Sequence, residues 1–356
     1  MEKGYHAFHP GKVWLDTDGN RIHAHGGSVL YWEGVYYWYG ENKEFTNGEN
    51  GIWHNGVNMY ASEDLYNWRF VGNIIPAQPE DPESPLHPAA KMDRPHIIYN
   101  EKTKKFVCWV KVMCKDGKQR STVLSADNLT GPYRTQRTNL LPCGFSAGDF
   151  DMAVGEDGRA YYYFEKVHTE TICADLTEDY LDVTGHFSRH FLHPEGVPYV
   201  REATAHFLRK GKHYLLTSGT TGYFPNPSEV AIGDDWHGPF TVLGDPHPAD
   251  TTATSFHSQI SSVFRVEGKK DLFIAVADRW LPERTDLSYS DYGPLYARAY
   301  APDGNEEEKQ QAKGQIRKLA GFQNTAIADY VWLPLRFDGE QVIIDWYDTW
   351  SLEDYE

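Results

Sequence analysis

Positive charge is scarce in this chain: 34 Lys and Arg stand against 51 Asp and Glu over 356 residues, a formal charge of −17. Such a surface repels a phosphate backbone, so no nucleic-acid partner is expected. Long apolar runs are missing too. Mean hydropathy is −0.60, and no unbroken apolar stretch approaches the roughly 18 residues of a membrane span, so no membrane partner is expected either. The opening residues, "MEKGYHAFHPGKVW", hold no apolar core of a secretory signal. As written, the chain reads as cytoplasmic, or as secreted with its leader removed. The four cysteines (Cys108, Cys114, Cys143 and Cys173) make no CxxC pair and no zinc-like spacing, so they read as free and structural. No GxSxG elbow, P-loop, dinucleotide-binding glycine fingerprint or HExxH helix occurs.

What the chain has in quantity is aromatic: 14% of residues, with 11 Trp and 23 Tyr. Its 31 Gly and 20 Pro are spread along the sequence, while Leu- and Ala-rich helical stretches are few. Many short aromatic strands separated by turns give this profile, and disorder does not. The length fits a single all-β unit spanning 1–356, with ample chain for a large core.

A pattern repeats: an apolar strand, a turn with Gly, Asn or Lys, then an aromatic strand. It reads "SVLYWEGVYYWYG" from Ser28, "PHIIYNEKTKKFVCWVK" from Pro95 and "DMAVGEDGRAYYYFEK" from Asp151. Two more copies are "AHFLRKGKHYLLTSG" from Ala205 and "SSVFRVEGKKDLFIAVADRW" from Ser261. The turns suit hairpins. Most copies are followed by a further strand, an acidic turn and an aromatic restart, as in "NMYASEDLYNW" from Asn58. Units of four strands recurring every roughly 50 to 70 residues predict a five-bladed β-propeller, whose closed ring leaves few exposed edges. The run "YVWLPLRFDGEQVIIDWYDTW" completes the last blade, with Val13–Leu15 as the expected closing strand. One segment, at about 281–329, breaks the pattern. It includes "APDGNEEEKQQAKGQIRKLAG", which is polar and helix-prone, and it reads as a surface excursion or as a lid over a pocket.

In a propeller the innermost strand of every blade starts near the axis, so residues just upstream of the five hairpins converge. They are His25, Asp93, Asp149, Glu202 and Gln259. Clustered carboxyls push one another's pKa values apart, which is what glycoside hydrolysis requires: one group protonated for the leaving oxygen and another group handling water. Glu41, Glu165 and Asp278 end second strands and return to the same face. Trp14, Tyr39, Trp53, Trp109, Tyr223 and Trp280 are candidates for stacking on the apolar face of a sugar ring. His23 and His25 have no third protein ligand beside them in any local motif, which argues against a catalytic metal. No cofactor is expected, and a structural calcium or another bound ion in the channel is compatible with this reading.

These stretches resemble glycoside hydrolase family 43 and, within it, the exo-β-1,3-galactanase group. The matching segments run in order along nearly the whole chain: "IHAHGGSVLYWEGVYYWYGE", "DRPHIIYN", "GDFDMAVGEDGRAYYYF", "REATAHFLRKGKHYLLTSGTTGYFPN", "SFHSQISSVF", "ADRW" and "YVWLPL". The resemblance implies a five-bladed propeller and inverting exo-hydrolysis of an oligo- or polysaccharide, releasing galactose from β-1,3-galactan. It implies Glu202 as general acid and Asp149 as the aspartate that tunes and orients it, with Asp151 as the fallback. "HAHGG" stands where most of the family has an aspartate base. The implied water-holding residue is Gln259, with Glu41, otherwise a ligand of a substrate hydroxyl, as the alternative. Asp93, His25, Tyr223, Trp280 and Asp278 complete the expected substrate contacts. An inverting site also predicts about 6.5 to 9.5 Å between the acid and the water-holding group. Asp93 in "DRP" replaces a glutamate usual in the group, and the segment after Trp280 is longer than the family pattern. Rival readings are an α-L-arabinofuranosidase, a β-xylosidase or a galactofuranosidase on the same scaffold, and a propeller that binds glycan without cleaving it.

Overall fold

The computed structural model describes residues 4–321 and 323–356. Residues 1–3 of the opening stretch and Phe322 of the helix-prone segment lie outside the described residues. Five antiparallel sheets, each laid down in sequence order, form the five blades of a β-propeller. Blade I holds β1 (His25–Trp32), β2 (Val35–Glu41), β3 (Val57–Ser62) and β4 (Arg69–Ile75). Blade II holds β5 (Lys91–Asn100), β6 (Lys105–Met113), β7 (Gln119–Ala126) and β8 (Arg134–Leu140). Blade III holds β9 (Ala147–Val154), β10 (Ala160–Lys166), β11 (Glu170–Leu176) and β12 (Val183–His190). Blade IV holds β13 (Arg201–Arg209), β14 (Lys212–Gly219), β15 (Glu229–Gly233) and β16 (Phe240–Gly244). Blade V begins with β17 (Gln259–Arg265) and β18 (Phe273–Arg279). The chain then leaves the blade for two helices, α1 (Tyr289–Ala299) and α2 (Glu306–Ala320), and returns through β19 (Asp329–Tyr330), β20 (Leu333–Asp338) and β21 (Gln341–Ile344).

The first strands β1, β5, β9, β13 and β17 each touch the next, and β17 touches β1, which closes the ring. Hydrophobicity falls from the axis outward. β6, "KFVCWVKVM", is buried along almost its whole length, whereas β8, "RTQRTNL", is exposed on nearly every residue. That gradient places β6 in the packed interior and leaves β8 as a polar rim, which discourages edge-to-edge pairing. Apolar side chains fill the seams between blades. The V–I seam gathers Trp38, Trp68 and Trp332, with ring centroids 4.6–5.9 Å apart. Three other seams bury comparable clusters. The III–IV seam is the thin one, with only Tyr161, Tyr163, Cys173 and Leu215 in its buried apolar cluster.

The closing strand expected at Val13–Leu15 is not part of blade V. That blade is completed by β20 and β21 from its own segment, while Leu15 bridges Arg21 across a turn in which Asp16 Oδ1 accepts the Asp18 and Asn20 N–H groups. Closure falls further toward the N-terminus. Phe8 pairs its backbone with Trp350, and the two rings stack 4.1 Å apart. All four cysteines are free.

The helical excursion is capped by its own sequence. Ser288 and Asp291 make a capping box for α1, and Asn305 caps α2 by accepting the Glu307 N–H. Three glutamates in the first turn of α2 and Arg317 and Lys318 in its last complement the helix dipole. Tyr292 and Tyr296 of α1 pack with Val197 and Phe224, which anchors the pair of helices over the loops of blade IV.

Replacing fully buried Phe8 (1% exposed) by Ala should cost about 3 kcal/mol in urea unfolding, the usual loss for a buried Phe. A loss below about 1 kcal/mol would show that the ring closes without this clasp.

Candidate active site

The same device opens all five blades. The pairing of first and second strands slips just after His25, Asp93, Glu202 and Ile260, and in blade III it slips between Ala147 and Phe150. Bulges of this kind bend a strand and re-aim its side chains. The residue following the converging position takes a positive φ in three blades: Gly26 at 58°, Arg94 at 56° and Ala203 at 50°. Opposite the converging residues, at or near the ends of the second strands, stand Glu41, Lys111, Ser218 and Asp278. Glycines make room for these ends. A Cβ on Gly26 would lie 2.5 Å from Glu41 Oε1, and one on Gly148 would lie 2.0 Å from Glu165 Oε2.

Asp93, Asp149, Glu202, Gln259, Glu41, Tyr223 and Trp280 line one cavity of about 400 Å³. Trp53, also singled out in the sequence, lines the same space, and its indole N–H donates to Asp93 Oδ1 at 2.6 Å. His25 and Asp278 are brought together but lie outside the lining. They form a fully buried pair, His25 Nδ1 to Asp278 Oδ1 at 2.8 Å, and Asp278 Oδ2 also accepts the Gly26 N–H. This pair braces the bulge of blade I through the Gly26 N–H. Three stacking candidates belong to the core: Trp14 and Trp109 donate their indole N–H groups to backbone carbonyls, and Tyr39 bonds Ile97. Asp151 is likewise structural in its contacts, accepting the His206 N–H and meeting His96, so that it ties three blades together.

Cations that sequence reading missed knit the carboxylates together. Arg94 Nη2 meets Asp149 Oδ2 at 2.8 Å and donates to Gln259 Oε1 at 2.6 Å, while its backbone N–H donates to Glu41 Oε1. Lys111 Nζ donates to Asp149 Oδ1 at 2.6 Å and lies 3.5 Å from Asp93 Oδ2. Lys43 Nζ lies 2.7 Å from Glu41 Oε2. Arg94 sits directly beside Asp93 in "DRP", and Lys111 pairs with Asp93 near the end of a second strand as Glu41 pairs with His25, so position in the repeat was the available signal. Other missed lining residues include His168, whose Nδ1 lies 2.6 Å from Glu165 Oε1, and Tyr296 and Tyr300, which the helical excursion brings to the cavity wall.

Electrostatics separate three buried carboxyls. Burial and the neighbouring Asp149 and Glu165 charges push Glu202 up to about 8. Burial also lifts Glu41 to about 7, with Lys43 opposing and Asp93 reinforcing the rise. Burial would raise Asp149 too, but Arg94 and Lys111 together outweigh it and hold that carboxylate well below its ordinary range. At neutral pH Glu202 therefore carries a proton and Asp149 a charge. His168 loses basicity through burial and regains more from Glu165, reaching about 9.

Gln259 does not stand off from Glu202 by the spacing expected of an inverting pair. Its Nε2 lies 3.5 Å from Glu202 Oε1 and donates to Ser218 Oγ at 2.9 Å, and its carbonyl accepts from Arg94 and from the Trp280 indole at 3.1 Å. The spacing rule concerns two carboxyl groups with water between them, whereas this amide is bonded into the floor beside the acid. Arg94 Nη1 remains a buried donor with no partner among the described residues. A burial of that kind costs free energy until something accepts from it.

Comparisons with known proteins agree with this geometry. Residues 22–279 match the profile of Glycosyl hydrolases family 43. Among solved structures, a GH43 β-1,3-galactosidase, BT3683 with galactodeoxynojirimycin, superposes with a TM-score of 0.78 at 27% identity, over 97% of this chain and 100% of that one. A second GH43 β-1,3-galactosidase, BT0265, gives 0.77 at 29% identity over 98% of this chain, which spans 64% of that protein's length. An exo-β-1,3-galactanase from Clostridium thermocellum gives 0.73 at 25% identity, over 96% of this chain and 66% of that one. A search of curated proteins finds no match.

A carboxyl whose pKa is raised from 4.5 in the unfolded chain to about 8 in the fold holds its proton longer when folded. Its stabilising contribution is complete below pH 4.5 and is lost as pH rises through about 8. Glu202→Gln should therefore match the native protein in thermal stability near pH 4.5 and exceed it near pH 9, by on the order of 5 kcal/mol. Equal stability at both pH values would show that Glu202 is already ionised in the folded protein.

Proposed function

The chain belongs to glycoside hydrolase family 43, and on that premise we propose that it is an inverting, exo-acting hydrolase that releases galactose from β-1,3-galactan. The observation that carries the reading is the split between Glu202, raised to about 8, and Asp149, held ionised by Arg94 and Lys111 at 2.8 and 2.6 Å. Such a split assigns one carboxyl to proton donation and the other to permanent charge.

In this reading Glu202 protonates the departing glycosidic oxygen. Asp149 does not exchange protons; its charge keeps Glu202 protonated in the resting state and favours a positive charge developing on the sugar ring. Trp53, Tyr223 and Trp280 offer apolar faces to the pyranose, and the unpartnered Arg94 Nη1 offers a donor for a ring hydroxyl. A pocket walled by blade loops and by Tyr296 and Tyr300 of the excursion suits a chain end better than a chain middle, which supports exo action. Water then attacks from the face opposite Glu202. An amide is a poor base, so Gln259 contributes by orientation, exchanging its Ser218 bond for the water. Glu41 is the second candidate for the water. Its value near 7 makes it a competent base at neutral pH, and both residues face the same cavity. The neighbours bearing β-1,3-galactosidase and exo-β-1,3-galactanase names support galactose over arabinose or xylose.

Incubation with β-1,3-galactan, arabinan and xylo-oligosaccharides should release galactose from the first and little from the others, with α-galactose appearing first in early NMR spectra. Release of arabinose or xylose instead assigns the rival sugar, and affinity without release assigns a binding protein. Glu202→Gln should abolish hydrolysis without unfolding the chain. Gln259→Ala should slow it by about 100-fold, the scale of a lost orienting group.

The rate kcat/KM should fall as pH rises through about 8, when Glu202 loses its proton. An acid limb near 7 that disappears in Glu41→Gln would move the water to Glu41; its absence leaves the water with Gln259.

A further inference from the structure

The thin III–IV seam is filled by imidazoles where the other seams have larger apolar clusters. His206 stacks on Tyr163 at 5.1 Å and on Trp236 at 5.2 Å, and His213 lies against Trp236 at 4.4 Å. At the outer edge of this seam three groups from two blades converge: Asp175 of β11, His186 of β12, and His237 in the turn between β15 and β16. Asp175 occupies the irregular register between Ala174 and Leu176, which turns its carboxylate toward blade IV. Its Oδ1 lies 2.6 Å from His237 Nε2 and its Oδ2 lies 3.0 Å from His186 Nδ1. The three ligand-type atoms all lie within 4.8 Å of one another.

A second arrangement supports the first. The far nitrogen of His237, Nδ1, lies 2.8 Å from Ser188 Oγ, and Ser188 Oγ lies 2.7 Å from His190 Nε2. A serine hydroxyl can accept from His237 and donate to His190 together. That assignment puts a proton on Nδ1, so the proton shared between Nε2 and Asp175 is the one an arriving cation displaces. Fixing the outer nitrogen of a histidine is how proteins orient an imidazole toward a metal. Tyr161 flanks the His237 ring at 5.9 Å, so the ring is braced on its side as well.

We propose that Asp175, His186 and His237 bind a divalent transition-metal ion, zinc in the first instance, which ties blade III to blade IV. Two imidazoles and one carboxylate suit zinc better than calcium or magnesium, which prefer oxygen ligands throughout. His186 is 67% exposed, so water reaches the remaining coordination position. None of the three residues lines the catalytic cavity, and the ion reinforces the seam that has the least apolar packing. The ligands were illegible in the sequence because Asp175 and His237 stand 62 residues apart and no short motif joins them.

The full chain, stripped with EDTA and titrated with zinc by calorimetry, should bind one equivalent and show a higher thermal midpoint with zinc than without. Asp175→Asn and His237→Ala should each weaken binding by at least about tenfold. His186→Ala, which removes an exposed side chain and spares the fold, should do the same. Cobalt in place of zinc should show the visible absorption of a low-symmetry, four-coordinate ion in the native protein and lose it in His186→Ala. Zinc uptake unaltered by these substitutions, no uptake at all, or a preference for calcium would each overturn the proposal and leave a hydrogen-bonded Asp–His cluster only.

Discussion

Arg94 meets Asp149 and the carbonyl of Gln259 with one guanidinium nitrogen while its own backbone N–H is held by Glu41. Three blades thus depend on one residue at the cavity floor, and the bulge that follows Asp93, with Arg94 at a φ of 56°, is what lets it face both ways. Without this cation Asp149 would keep only Lys111 against the cost of burial, and a buried charge stripped of a partner is strongly destabilising. A lysine would not substitute, because a single ammonium lacks the planar fork that leaves Nη1 over for a further acceptor.

The distribution of cations decides the distribution of protons. Asp149 has two positive groups within hydrogen-bond distance, Glu41 has one, and Glu202 has none among the described residues, its hydrogen-bond partner being the Gln259 amide. The ordering of their pKa values follows that count, with Asp149 lowest and Glu202 highest. Chemically identical groups at related positions of a repeat thereby acquire different tasks. His168, drawn toward Glu165 and lining the same cavity, keeps the rise of Glu202 from going further.

Much of this was legible before any coordinates, for a physical reason. Hairpins announce themselves through turn residues between alternating strands, and a repeat read five times places equivalent residues at equivalent ends, so Asp93, Asp149, Glu202 and Gln259 could be named from spacing alone. What spacing does not reveal is how deep along a strand a side chain lies. Trp109 and Lys111 share one face of β6, yet Lys111 reaches the cavity and Trp109 stays in the core, because only the strand end projects beyond the packed seam. His25 followed the repeat but is fully buried, bonded to Asp278 and Tyr330 and absent from the cavity lining. Closure at Phe8 rather than at Val13–Leu15 depended on a turn around Asp16 whose effect is three-dimensional.

The helical excursion leaves from the end of β18 and returns at β19, which pairs with that same end through Asp278–Tyr330 and Arg279–Asp329. Its two feet are therefore stitched together inside blade V, and Arg21 adds a clamp on Asp329 from outside. Because the entropy of joining those feet is already met by the sheet, changes in the length of the helices between them cost the ring little. The hairpin of helices is in this sense an interchangeable visor. Its inner aromatics can drift and redraw the mouth of the pocket while the axle of the propeller, with its acid and its clamped aspartate, stays untouched.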